Sequence, residues 1–268
     1  MRLATWNVNS IRTRLDHVTD WLAENPVDAL CLQETKVVDQ DFPSGPFEAM
    51  GYHPYVYGQK AYNGVAIVAK APLSAVDYGF SSVLGPDATG DLDDQKRVIS
   101  GVCQGIRIVN LYVPNGSSIG SEKYAYKLRW LALLKTYLET LLSADSALHI
   151  CGDFNVALDD IDIHDPEGKD RHIMASPQER QALRDLLSLG LADAFRKLTP
   201  EGGHYSWWDY RAASFRRNLG WRIDHHYLSP DLYGRVASCT IDIAPRKLEK
   251  PSDHAPVILE LAEADRSG

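Results

Sequence analysis

Short apolar runs recur along the chain at Leu3 to Trp6, Ala29 to Leu32, Val65 to Ala69, Val98 to Cys103, Ile106 to Val113, Ala147 to Cys151, Arg222 to Leu228 and Val257 to Leu261. Runs of this length, rich in Val, Ile, Leu and Cys, predict β-strands. The two that flank Gln104-Gly105 are close enough for an antiparallel hairpin, because glycine in a two-residue loop supplies the positive φ that a tight turn needs.

Three segments repeat at the helical period instead. Ile11, Leu15, Val18 and Leu22 step by four, three and four before Pro26 ends the helix. From about Ser121 to Ser143, the side chains of Leu128, Leu131, Leu134, Leu138 and Leu141 share one face. Ser176-Pro177-Gln178-Glu179 opens the third helix with a capping serine, proline at the first helical position and glutamate at the third, and Gly190 closes it.

Strands and helices mix over the whole length with no repeat, low-complexity tract or Gly/Ser-rich linker. The expected fold class is α/β, a two-sheet β-sandwich flanked by helices. One domain over residues 1–268 is expected, its last few residues forming a disordered tail. Two irregular stretches, Asp159 to Ala175 and Gly202 to Leu219, are long enough to expect functional loops.

Charge narrows the function. The 28 Lys and Arg against 36 Asp and Glu give a formal charge of -8, which argues against bulk electrostatic coating of nucleic acid, so any DNA contact has to come from a local basic face. Acidic groups gathered around a divalent cation would lower the net charge without repelling a phosphate. Cys31, Cys103, Cys151 and Cys239 form no CxxC pair and no zinc-type spacing. They read as reduced, buried thiols suited to a cytoplasmic protein. The opening Met1 to Asn7 has no secretory apolar stretch, and no run approaches the roughly 20 residues of a membrane span. No membrane partner is expected, and a monomer is the default.

Polar residues recur where the predicted strands end: Asn7 and Asn9, Gln33 and Glu34, Asn110 and Tyr112, Asp153 and Asn155. Ligands of α/β folds gather at the carboxyl ends of parallel strands, and an antiparallel neighbour would present its amino end there, as Asp253-His254 does before the last strand. Converged, these groups offer carboxylates and amide oxygens without a thiol, a set that suits Mg²⁺ or Mn²⁺ better than zinc. Taken singly each has a plainer reading: Asn7, Asn9 and Asp153-Asn155 as turn residues, Glu34 as a solvated loop side chain, Asp224 as a buried partner of an arginine. His225 and His226 are expected to be structural, and His164, His172 and Asp170 to be surface residues.

Six ordered segments carry a resemblance. Thr5-Trp6-Asn7-Val8-Asn9, Leu32-Gln33-Glu34-Thr35-Lys36, Tyr112-Val113-Pro114-Asn115-Gly116, Gly152-Asp153-Phe154-Asn155, Trp221-Arg222-Ile223-Asp224-His225 and Lys250-Pro251-Ser252-Asp253-His254-Ala255-Pro256 together resemble the exonuclease III family of abasic-site endonucleases. That resemblance spans nearly the whole chain and implies a four-layered α/β sandwich. It implies a divalent-metal-dependent DNA-repair phosphodiesterase acting on double-stranded DNA at abasic sites or 3′ ends.

Residue by residue, the resemblance implies that Glu34 binds the metal with Asn7 and Asp253 in support, and that Asp153, Asn155 and His254 also belong to the metal site. Asp153 would position or deprotonate the attacking water. Asn155 and His254 would bind the scissile phosphate, with His254 oriented by Asp224. Tyr112 would stabilise the phosphate or assist the leaving oxygen. Asn9, Lys36, Arg97, Asn115, Asn218 and Arg222 are implied as DNA contacts, and Trp207 and Phe215 as the lining of a sugar or terminal-nucleotide pocket. The aromatic and arginine residues interleaved from His204 to His226 are independently a plausible DNA surface. Two other functions stay open at this point: a lipid-headgroup or inositol phosphodiesterase sharing the metal site, and a damage-binding protein without catalysis.

Overall fold

The computed structural model describes residues 1–263, so the expected C-terminal tail lies outside the described residues. Its strands are β1 Arg2–Asn7, β2 Ala29–Gln33, β3 His53–Tyr57, β4 Val65–Ala69, β5 Ser74–Tyr78, β6 Val98–Cys103, β7 Ile106–Tyr112, β8 Leu148–Asp153, β9 Ala192–Asp193, β10 Asp224–Leu228, β11 Val236–Ile241 and β12 Val257–Leu261. They form two six-stranded sheets, ordered β11-β12-β1-β2-β4-β3 and β5-β6-β7-β8-β10-β9.

Strand alternation builds the layers. Leu3, Cys31, Ile67, Ile99, Ile108, Cys151 and Leu259 point into the space between the sheets. Their neighbours Ala4, Leu30 and Val68 point outward and pack with Val18, Trp21 and Leu22 of helix α1 (Leu15–Glu24). On the other outer face, Val109, Leu111 and Ile150 pack under Trp130, Leu134 and Leu138 of helix α2 (Glu122–Ala144) and Leu183 and Leu186 of helix α3 (Pro177–Leu187). Helix, sheet, sheet and helix give the four layers expected. Every central strand is buried on both faces, which is why each reads as a continuous apolar run.

Local signals account for the element ends. Gln104 and Gly105 both take positive φ, +49° and +81°, and join β6 to β7 in register from Cys103 and Ile106. The Ser176 hydroxyl accepts the Glu179 N–H and the Glu179 carboxylate accepts the Ser176 N–H, a complete capping box at α3. Three of the boundary differences bear on the site. The first helix begins at Leu15, leaving Ile11 buried on the approach to it. β8 continues to Asp153, and β10 starts only at Asp224, because Arg222 and Ile223 belong to the incoming loop.

Candidate active site

Two parallel pairs aim their carboxyl ends at one edge of the sandwich: β1 with β2, and β7 with β8. Asn7 ends β1, Glu34 follows β2, Tyr112 ends β7 and Asp153 ends β8. The antiparallel strands bring their starts to the same edge. Asp224 opens β10 directly opposite Asp153, and His254 precedes β12, which lies beside β1.

Backbone strain marks this edge. Asn9, Glu34, Lys36 and Asn155 all have φ between +45° and +57°, a region that costs a non-glycine residue about 1–3 kcal/mol and persists only where surrounding contacts hold it. Gly152, at φ +140°, lets β8 lie against β7: a Cβ there would sit 1.9 Å from the Leu111 carbonyl oxygen.

The side chains converge across the two sheets. Asn7 Nδ2 donates to Glu34 Oε1 at 2.8 Å and to Asp153 Oδ2 at 2.9 Å. Asp153 Oδ1 accepts the Asn155 N–H at 2.9 Å, and His254 Nε2 stands 3.7 Å from Asp153 Oδ2. His254 Nδ1 meets Asp224 Oδ2 at 2.9 Å, and Asp224 also accepts the Ser206 hydroxyl at 2.6 Å. Glu34, Asp153 and His254 each offer a ligand atom, and those atoms lie within 4.8 Å of one another. Glu34 is partly exposed while Asp153 and His254 are buried, so the group opens to solvent on the Glu34 side.

Charge is unevenly held here. Burial pushes the Asp153 carboxyl upward and the Asp224 charge adds to that, with His254 opposing. His254 is pushed upward in spite of its burial, because Asp224 and Asp153 both favour the imidazolium. Burial next to Glu34 raises Tyr112 well above an ordinary phenol, which keeps its hydroxyl a proton donor. The oxygen-rich donor set fits a hard divalent cation, with Glu34 the accessible carboxylate.

A second group, His149, Cys151 and His226, lies buried between the sheets. Its imidazoles hydrogen-bond each other at 2.7 Å, and ligands of one zinc ion, each about 2.0–2.3 Å from the metal, stand farther apart than that. These side chains are core, as expected for His226; His225 is likewise buried, on the Val156 carbonyl.

The remaining predicted residues divide. Asp253 accepts from Asn9 Nδ2 at 3.1 Å and from Trp207 Nε1 at 3.0 Å, and reaches the close group through Asn9, whose N–H donates to Asn7 Oδ1. Lys36 pairs with Glu34 at 3.0 Å and with Asn9. Asn115 donates to Asn155 Oδ1 at 3.2 Å. Arg97 stacks on the Tyr112 ring and, with Asn115, Asn63, Tyr62 and Lys123, lines a groove of about 510 Å³.

Two assignments are corrected by the packing. Arg222 is 1% exposed and its guanidinium is spent on Asp162 at 2.8 Å, Asp193 at 2.8 Å and His225, so it cannot reach a DNA phosphate. Phe215 packs edge-on to Trp208 under Arg246 and, with Asn218, lines a separate pocket of about 320 Å³. The aromatic that faces Trp207 is Trp221, which pairs with it through two backbone hydrogen bonds. Gln33 and Asn110 also stay out of the site: Gln33 Nε2 donates to Asn110 Oδ1 at 2.7 Å and braces sheet to sheet. Ser206 went unremarked in the sequence, where an isolated serine in a loop carries no signal.

Over residues 4–254 the chain matches the endonuclease/exonuclease/phosphatase family model. The chain belongs to that family. Within it, the chain is 34% identical to exodeoxyribonuclease III of Haemophilus influenzae, over 97% of this chain and 99% of that protein. It superposes with a TM-score of 0.93 on the 3′ phosphatase NExo from Neisseria bound to product DNA hairpin, at 42% identity over 98% of this chain and 100% of the other. An AP endonuclease from Archaeoglobus fulgidus superposes with a TM-score of 0.91 at 41% identity, over 97% and 99%. The family assignment makes this protein a hydrolytic nuclease of the exonuclease III and AP endonuclease type, acting on phosphodiester bonds.

Proposed function

We propose that the protein is a Mg²⁺-dependent DNA-repair phosphodiesterase that processes 3′ termini and cuts beside abasic sites in duplex DNA. The observation that carries this reading is the convergence of Glu34, Asp153 and His254 within 4.8 Å at the joined ends of two sheets. Glu34, positioned by Asn7, holds the cation, and Asp153 orients the attacking water. His254, kept cationic by Asp224, binds the scissile phosphate together with Asn155 and the Tyr112 hydroxyl. The bound cation would neutralise charge developing on the phosphoryl oxygen. Mn²⁺ is expected to substitute, since it takes the same oxygen donors.

Asn9, Lys36, Arg97 and Asn115 rim the site and are assigned to the DNA backbone, and Trp207 with Trp221 to the terminal or abasic sugar. The protein acts as one domain and as a monomer in the reducing cytoplasm, consistent with four free, buried cysteines. Among the described residues no helix is long and apolar enough to cross a membrane.

The test is incubation with labelled duplexes carrying an internal abasic analogue, a recessed 3′ end or a 3′ phosphate, with Mg²⁺ or EDTA. Metal-dependent shortening or release at the 3′ end, or incision at the analogue, supports the reading. Release of phosphocholine or inositol from lipid substrates without any DNA product overturns it.

A further inference from the structure

Lys127 belongs to none of the six motif segments, yet it is a fully buried cation on α2, 0% exposed. Its ammonium donates to the Asn155 carbonyl oxygen at 2.8 Å, to the Asn115 carbonyl oxygen at 3.2 Å and to the Glu179 carboxylate. All three of its protons are therefore used, and two of them go to the backbones of Asn115 and Asn155. Those two residues touch through their side chains at 3.2 Å, and Asn155 in turn holds Asp153 through its backbone N–H.

Glu179 is equally committed. Besides Lys127 it accepts the Met174 N–H at 3.0 Å, the Ser176 N–H at 3.1 Å and the Ser176 hydroxyl at 2.6 Å. The pair thus ties α2 and the start of α3 to the two loops that leave β7 and β8.

We propose that Lys127, counterbalanced by Glu179, is a positioning residue: it fixes the spacing between the Asn115 and Asn155 loops and so the phosphate-binding face beside Asp153. The physical argument is one of cost. Desolvating two charges costs several kcal/mol per ion, and a well-packed apolar pair of similar volume in such a place is often equally or more stable. An apolar pair, however, has nothing to donate to two carbonyl groups on separate loops. Asn155 sits at φ +48°, left-handed backbone that asparagine adopts more readily than most residues, and the Lys127 bond to its carbonyl helps to hold it there. A role in joining two helices alone would not require the ammonium to reach both loops.

This inference rests on the proposed nuclease reading and is tested with a duplex bearing a recessed 3′ phosphate, by the rate of inorganic phosphate release. Removing one charge would strand the other, so the variant is the neutral pair Lys127→Met with Glu179→Gln, in which the glutamine oxygen keeps the Ser176 N–H at the α3 cap and gives up the Met174 N–H. A companion, Lys127→Gln with Glu179→Gln, restores a neutral amide NH2 in place of the ammonium. Misplacing catalytic groups by about 1 Å costs on the order of a hundredfold in rate. The expected result is a kcat lowered by roughly ten- to a hundredfold in the first variant, partial recovery in the companion and little change in KM, with a lowered Tm in the first variant because two carbonyl oxygens lose their donor.

A wild-type kcat in the first variant overturns the proposal. If that variant does not fold, the companion decides, a wild-type kcat again counting against it and a reduced kcat at unchanged KM in favour. Absence of cleavage by the wild-type protein would instead strike the nuclease reading itself, so the two failures are distinguishable.

Discussion

Asp224 meets the His254 imidazole at 2.9 Å while taking the Ser206 hydroxyl at 2.6 Å, so the carboxylate that orients the imidazole is itself anchored. The relationship is possible because Asp224 opens β10 directly opposite Asp153, which aims both carboxylates at one ring. Asp224→Asn preserves the shape but removes the charge that keeps His254 cationic. Loss of one preorganised group facing transition-state charge costs about 10²–10³ in kcat. Steady-state rates on a 3′-phosphate duplex should fall by that order with KM changed less, and a kcat within twofold of wild type would remove His254 from the phosphate-binding role.

Glu34→Gln and Asp153→Asn should each abolish cleavage, and EDTA should do the same to the wild type. Burial raises the Asp153 pKa, so folding opposes its charge at neutral pH, and the neutral amide relieves that opposition. The amide also loses one acceptor for the Asn7 or Asn155 N–H, so calorimetry should give Asp153→Asn a Tm close to wild type. A lowered Tm would mean that the charge is compensated better than its burial implies.

The parts of this fold that the sequence conceals have one cause. β3, β5, β9 and β11 gave no apolar run, and these four are the edges of the two sheets. Edge strands face solvent and carry mixed residues such as His53-Pro54-Tyr55 and Asp77-Tyr78, so the pattern that exposed the eight inner strands is missing. In the site, the residues at strand ends were legible because several motifs in order pointed to one edge. Arg222 and Phe215 were misplaced because a basic or aromatic stretch does not say which side chains turn inward. Lys127 was invisible since a lysine on a helix normally reads as solvated surface.

Gly152→Ala tests the close approach of β8 to β7. Its Cβ would lie 1.9 Å from the Leu111 carbonyl oxygen, against backbone that cannot give way without breaking the register that ends at Tyr112 and Asp153. Overpacking of this kind costs about 1–3 kcal/mol or more. Urea unfolding should show at least that loss, and kcat should fall because Asp153 is the next residue. A variant of unchanged stability and rate would mean that the two strands can separate freely.

Arg222, buried with two carboxylates, gives an acid-side prediction. Burial alone would raise Asp162 and Asp193, but the Arg222 charge and hydrogen bonds outweigh it and hold both below the usual carboxylate range. Carboxyls depressed in the folded state contribute stability that is present above the unfolded value, about pH 4, and is lost as pH falls through the folded values. Arg222→Met leaves Asp193 without a cationic partner and Asp162 with Arg196 alone, which should cost up to about 3–5 kcal/mol at neutral pH. Below about pH 4 the same carboxyls protonate in the variant, so the difference from wild type should narrow there. Urea unfolding of both proteins at neutral and acid pH measures that difference, and a gap independent of pH would refute the assignment. DNA binding provides the complementary check: a folded Arg222→Met protein should keep the wild-type salt dependence, because this guanidinium neutralises carboxylates inside the fold and no phosphate outside it.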